Sequence, residues 1–162
     1  MEFPAGEKIE EGLNINKVNP EELFKSFMDS EFSGYIVLTI YGYAGIEEGL
    51  LLFQKGIIVG ALFSYDTSNH SIEGEEALVR ILNAFKAKYG VLDINSLSKQ
   101  QVELTITFKD VMKVKGYQLK DLAKLIPKAY STQYSEKGIK ESDEKSRYDI
   151  MKKMGLLGID KG

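Results

Sequence analysis

Residues 50–65 read LLLFQKGIIVGALFSY. Two apolar runs flank Lys55-Gly56, and glycine adopts positive φ without penalty, so the pair predicts a tight hairpin turn. Neither run alternates cleanly with polar residues, which predicts strands covered on both faces or packed at an interface. Upstream, YIVLTIY at 35–41 does alternate. Ile36, Leu38 and Ile40 share one face, while Tyr35, Val37, Thr39 and Tyr41 share the other. With a glycine-containing loop expected over 42–49, the three runs predict an antiparallel meander. Downstream, EGEEALVRILNAFKAKYG at 73–90 places Ala77, Leu78, Ile81, Leu82 and Phe85 on one helical stripe. Glu75, Arg80, Asn83 and Lys86 are expected on its outer side, with Gly90 as the stop. Gly60-Ala61 offers that helix a flat place to approach the sheet. A hairpin sealed by the following helix is therefore expected, in place of a pocket.

The remaining elements follow from caps and periodicity. Asn19, Pro20 and Glu22 make a capping-box-like helix start; Leu23, Phe24, Phe27 and Met28 form its stripe, ending near Phe32. VLDI at 91–94 reads as a short strand. VELTITF at 102–108 alternates strictly and predicts another, with Val102, Leu104, Ile106 and Phe108 inside and Glu103, Thr105 and Thr107 outside. A helix over 118–126 carries Leu119, Leu122, Ala123 and Ile126 and is closed by Pro127. Residues 129–145 hold one aliphatic beyond Ala129, namely Ile139, and read as a polar linker. SRYDIMKKMG at 146–155 has a cap at Ser146 and a stop at Gly155, with Ile150, Met151, Met154 and Leu157 as a small apolar stripe. The expected fold is α+β: an antiparallel, largely meandering sheet with helices mainly on one face, spanning 1–128. The linker (129–145) and a short amphipathic C-terminal helix (146–162) follow it.

Composition excludes several kinds of chemistry. The chain has 162 residues, 43% hydrophobic and 28% charged, with no cysteine; no disulfide, thiolate metal site or cysteine nucleophile is possible. Its apolar runs fall far short of the roughly 20 residues that span a bilayer. The acidic start MEFPAGEKIEEG is unlike a secretory signal, so a cytoplasmic location is expected. The net charge of −3 is uneven. Residues 109–128 carry Lys109, Lys113, Lys115, Lys120, Lys124 and Lys128 against two aspartates. These lysines, with Tyr117 and Tyr130 as stacking residues, are the alternative reading: a nucleic-acid-binding protein. Lys120, Lys124 and Lys128 also fit the solvated face of an amphipathic helix.

Catalytic patterns are missing. His70 is the single histidine, read as a solvated loop residue, and neither Ser68 nor Ser71 sits in a nucleophile elbow. Glu75 and Glu76 are consecutive, point about 100° apart on a helix, and suit its first turn. GYAGIEEG at 42–49 is glycine-rich but lacks the Lys-Ser/Thr and the strand-to-helix order of a phosphate loop. No enzyme, metal or cofactor is expected; convergence of Glu47, Glu48, Asp66 and Asp93 on one cleft would reverse that.

Gly34 before a strand, FQKGIIVGA at 53–61, GEEAL at 74–78 and Gly90 after the helix together resemble the PATAN type of domain. The likeness covers about half the chain, from Glu21 to Phe108. With GVLDI at 90–94, QVELTITF at 101–108 and the C-terminal SRYDIMKKMG, the whole is similar to an uncharacterised archaeal family related to it. The resemblance implies a protein-interaction module, of a kind found beside signalling receivers or acting with small GTPases and motility ATPases. No receiver pattern occurs in these 162 residues. The expected function is a non-catalytic adaptor or regulator that binds a protein partner and is able to form a homodimer. Its expected contact surfaces are Tyr35, Val37, Thr39 and Tyr41, the 42–49 loop, and Ile150, Met151, Met154 and Leu157.

Overall fold

In the computed structural model, residues 3–42, 45–66 and 70–134 are described. The elements in chain order are β1 (Glu7–Asn14), α1 (Pro20–Asp29), β2 (Gly34–Gly42), β3 (Gly45–Gln54), β4 (Ile57–Tyr65) and β5 (His70–Glu73). α2 (Glu75–Ala84), β6 (Gly90–Ser96), α3 (Lys99–Phe108) and α4 (Leu119–Leu125) complete them. The strands form one open six-stranded antiparallel sheet in the order β1-β6-β2-β3-β4-β5. The fold is α+β, and the expected meander is its centre.

The Lys55-Gly56 turn organises its surroundings. Both residues take positive φ, 49° and 80°, the geometry of a hairpin turn whose twist matches the strands it joins. The tip is locked onto the end of α1, where the Gly56 N–H donates to Phe32 O at 2.7 Å and the Lys55 N–H to Ser33 Oγ at 3.1 Å. A Cβ on Gly56 would lie 2.5 Å from Met28 Cα and Phe27 O. α1 starts as expected, with Asn19 accepting from Glu21 N and Glu22 N. Its Phe24 and Phe27 pack with Phe32, Phe53 and Phe85 in an aromatic cluster under the hairpin.

β3 is buried on both sides. Leu51 and Phe53 join the core with Ile36, Leu38, Ile58, Ala61, Leu78 and Ile81, on the face that carries α1, α2 and α4. Leu50 and Leu52 join a second cluster with Val102 and Met112 on the opposite, outer face. α2 approaches the sheet at Gly49, where a Cβ would meet Ile81 Cγ1 at 2.7 Å. Gly60, expected beneath that helix, instead lies under Met112 and Ile106 on the other face, and Ala61 alone of the pair faces α2.

That outer cover corrects the expectation for 102–108, which is helix α3 and not a strand. Ser98 and Gln101 form a reciprocal capping box, with bonds of 2.9 and 3.1 Å, nucleating a helix at the head of the alternating segment. Thr105 and Thr107 donate to the carbonyls of Gln101 and Glu103 at 2.7 and 2.8 Å, so their hydroxyls are satisfied inside the helix. Val102 and Ile106, one turn apart, close over Leu50 and Leu52, while Leu104 and Phe108 are left exposed. The strand alternation was coincidental. A 3-10 turn at Asp110–Met112 extends this lid.

Three further expectations change. Most of the 42–49 loop is strand, since β3 begins at Gly45. His70 starts a strand, stacked on Tyr65 with ring centroids 6.3 Å apart. Arg80 and Asn83, placed outward by helical periodicity, are buried. Residues 129–134 explain the last point, because they lie against α2: Asn83 exchanges two hydrogen bonds with the Ser131 backbone, and Tyr65 Oη donates to Tyr134 O at 3.0 Å.

From the lid the chain returns to the inner face past Gly60, which bridges Lys113. Glu75 holds this crossing, accepting from Lys115 N at 2.8 Å and from the Tyr117 hydroxyl. Partial burial, then the Glu75 bond and charge, push the Tyr117 hydroxyl up to about 12.

Two tests follow. Gly56→Ala combines a left-handed φ with contact against α1 backbone, and should cost about 2–4 kcal/mol; the melting temperature should drop by on the order of 10 °C. Tyr117 binds its proton more tightly folded than unfolded, so its contribution is complete below pH 10 and lost as pH rises through about 12. Urea unfolding from pH 8 to 12 should therefore show the wild-type advantage over Tyr117→Phe shrinking across that window. An unchanged difference would contradict the role given to Glu75.

Candidate interaction surface

Cross-strand partners share a sheet face, so the register identifies which side chains lie together. The row Val91–Thr39–Glu48–Ser64–Ser71 crosses β6, β2, β3, β4 and β5 on the outer face. On the lid side of this row lie Val37, Leu50 and Leu62; on the other lie Tyr41 and its partner Ile46. The lid covers only the first group. Of the four outward residues expected on β2, Tyr35 and Val37 pack beneath the lid, with Phe3 against the Tyr35 ring at 5.6 Å. Thr39 and Tyr41 lie beyond it.

The uncovered half of the face carries an apolar patch. Tyr41 is 69% exposed, Ile46 46% and Val91 41%. Tyr89, also exposed, is beside them, its carbonyl taking the Tyr41 N–H at 3.0 Å. Ile46, Val91 and Tyr89 were not expected at a surface site. Their signal was available only as register, because nothing in a single strand indicates which neighbour completes a patch. The lid contributes exposed Val111, which shares a cleft of about 230 Å³ with Leu62, Ser64 and Ser71. Glu48, in the row next to Tyr41 and Ile46, gives the patch an acidic neighbour, whereas Glu73 pairs with Leu62 in the lid-side row.

The sheet edges are built differently. β1 has its acids and Lys8 exposed and two register shifts against β6. Charges and bulges of this kind discourage strand addition. β5, at the other edge, has four residues.

The carboxylates named as a possible catalytic set are separated. Glu48 lines a cleft of about 520 Å³ with Asp66, His70, Ser64 and Ser71. Glu47 is buried, where Tyr130 Oη donates to it at 3.3 Å, and Asp93 accepts from Gly12 N at 2.8 Å on β6. Among the described residues no three His, Asp or Glu side chains are placed to hold a metal ion.

The lysines do not make one surface. Lys109 reaches over the Phe3 ring at 5.4 Å beside the outer-face lid, whereas Lys120 and Lys124 belong to α4, which packs on α1. Tyr117 and Tyr130, suggested for base stacking, are hydrogen-bonded to Glu75 and Glu47. Ile150, Met151, Met154 and Leu157 lie outside the described residues. Among the described residues no helix is long and apolar enough to cross a membrane.

The chain belongs to a family of uncharacterised proteins conserved in archaea, DUF2226, whose model matches residues 1–109. No curated protein and no solved structure matches the chain.

Because the patch adds little to the core, a Tyr41→Thr/Ile46→Thr/Val91→Thr variant keeps strand-compatible side chains and should change stability by about 1 kcal/mol or less. Leu50→Ala, on the lid side of the Thr39–Glu48 row, should cost about 2–5 kcal/mol. Chemical denaturation of the two variants checks the contrast.

Proposed function

We propose that this archaeal family member is a non-catalytic protein-interaction module, a cytoplasmic adaptor or regulator. It binds its partner with the open half of the outer sheet face. One observation carries the reading: Tyr41, Ile46 and Val91 stand exposed together on adjacent strands, just where the α3 lid stops. Exposed apolar groups rimmed by polar ones mark interaction sites, and tyrosine supplies broad contact area with a polar tip. The acidic Glu48 in the row beside the patch favours a partner with a base opposite it. The blunted edge of β1 favours docking on the face over strand addition. The PATAN-like order of glycines suggests the partner class, a small GTPase or motility ATPase system, and a second copy of the chain is the alternative occupant. The nucleic-acid reading is the weaker one, since its lysines are distributed over different sides of the sheet.

The test uses the triple threonine variant, which is designed to stay folded. Wild type and variant, immobilised in parallel, are exposed to native archaeal lysate, and retained proteins are quantified; light scattering reports self-association. The expected result is a specific protein, or a dimer, retained by wild type and lost in the variant. Identical retained sets and identical mass would overturn the proposal. Binding to single-stranded DNA at low salt, unaffected by the triple variant, would favour the lysine reading instead.

A further inference from the structure

Tyr134 sits at the same end of the sheet as the apolar patch. Tyr130 Oη donates to Glu47, the residue between Ile46 and Glu48, and Tyr65 Oη donates to Tyr134 O at 3.0 Å. Glu47 and Tyr65 are cross-strand partners in the row adjoining the Tyr41–Ile46 pair. The segment ending at Tyr134 is thus fixed close to the patch, but on the inner face of the sheet. A cleft of about 520 Å³ lies at this sheet end between the two faces, lined by Tyr65 of the inner core together with Ile46, Glu48 and Asp66.

Beyond Tyr134 the sequence supplies an occupant for the patch. Residues 146–157, outside the described residues, carry the stripe Ile150, Met151, Met154 and Leu157. Helical spacing puts Arg147 one turn before Ile150 and Met151, and Lys153 one turn after Ile150, so bases border the apolar stripe. The same stretch holds three bases against one acid. The patch complements it on both counts. Tyr41, Ile46 and Val91 expose apolar surface, and methionine-rich faces adapt to such surfaces. Glu48 lies in the row beside them and Asp66 in the adjoining cleft, neither in an ion pair among the described residues. A helix this short is marginal alone in water and needs an apolar surface to form against.

The connection is long enough. Residues 135–145 number eleven and reach at most about 40 Å when extended. Val91, the farthest strand position of the patch, is three strand spacings from Tyr65, or about 15 Å. The polar linker can therefore round the sheet end with length to spare.

We propose that residues 146–157 fold back onto the Tyr41–Ile46–Val91 patch of their own chain, with Arg147 and Lys153 toward Glu48 and Asp66, and compete there with the protein partner. The competition rests on the reading of the patch as a partner surface; the fold-back is measured separately from it.

The methionine methyls of the full-length chain are isotope-labelled and followed by NMR. Met28 and Met112, packed in the domain, report that the fold is intact. In wild type the Met151 and Met154 methyls should show contacts to the Tyr41 ring and Ile46 that survive dilution and are absent between differently labelled molecules. The Tyr41→Thr/Ile46→Thr/Val91→Thr variant should return both signals to the positions they take in a synthetic 146–157 peptide, with Met28 and Met112 unmoved. Ile150→Asp/Met154→Asp should release Met151 in the same way. Because a short tether holds the segment at millimolar effective concentration, that variant should also bind the captured protein roughly 10-fold more tightly. Wild-type signals at the free-peptide positions, signals indifferent to the triple threonine variant, or contacts only between molecules would each overturn the fold-back. If capture is nonetheless lost in the triple variant, the partner surface stands and only the fold-back falls. Docked methyls with equal capture by wild type and the aspartate variant would overturn the competition.

Discussion

Double-sided burial of β3 is the constraint around which the molecule is arranged. Four successive side chains, Leu50 to Phe53, are inaccessible to water and point alternately to opposite faces. A strand like this cannot end a structure; each face must be covered. α1, α2 and α4 cover one side with the larger core. α3 and its 3-10 extension cover the other, but only over Leu50, Leu52 and their neighbours. The polar row through Thr39, Glu48, Ser64 and Ser71 marks where the demand for cover ends. Tyr41 and Ile46 lie past that row, so the sheet face that remains is a by-product of how far the leucines of β3 extend.

Elements with strong local punctuation were legible in the chain. The Lys55-Gly56 turn, the Asn19-Pro20 start of α1, the acidic start of α2 and Pro127 after α4 each depend on contacts within a few residues. α3 was misread because its alternating β-branched residues mimic a strand, while the deciding Ser98–Gln101 box precedes the alternation. β1 went unseen because its side chains are mostly polar and exposed; only pairing with β6 makes it a strand. Arg80 and Asn83 were misplaced for a related reason. Helical periodicity reports the face turned from the sheet, and it contains no information about a later segment folding across that face. The surface patch was legible in part: Tyr41 was readable from β2, whereas Ile46, Val91 and Tyr89 required the strand order.

The distribution of polar groups separates structural from available chemistry. Glu75, Glu47 and Asp93 are each engaged with a partner from a distant part of the chain, Tyr117, Tyr130 and Gly12. They act as fasteners between segments. Glu48 and Glu73 stand at outer-face positions and line clefts there. Glu48 therefore shapes the electrostatic character of the patch beside it, while Glu75, Glu47 and Asp93 tie the fold together.

Strand order has a consequence for how the chain is made. β1 is near the beginning, yet its one neighbour in the sheet is β6, and the bonds linking them span 81 and 89 residues. On a ribosome, residues 7–14 emerge long before 90–96 and must wait while α1, the hairpin and α2 assemble. Their dense charge keeps this waiting segment solvated and poor at pairing with other nascent chains. Of these six strands the first in chain order is thus the last that can be zipped into place, and its acidity protects it during the delay.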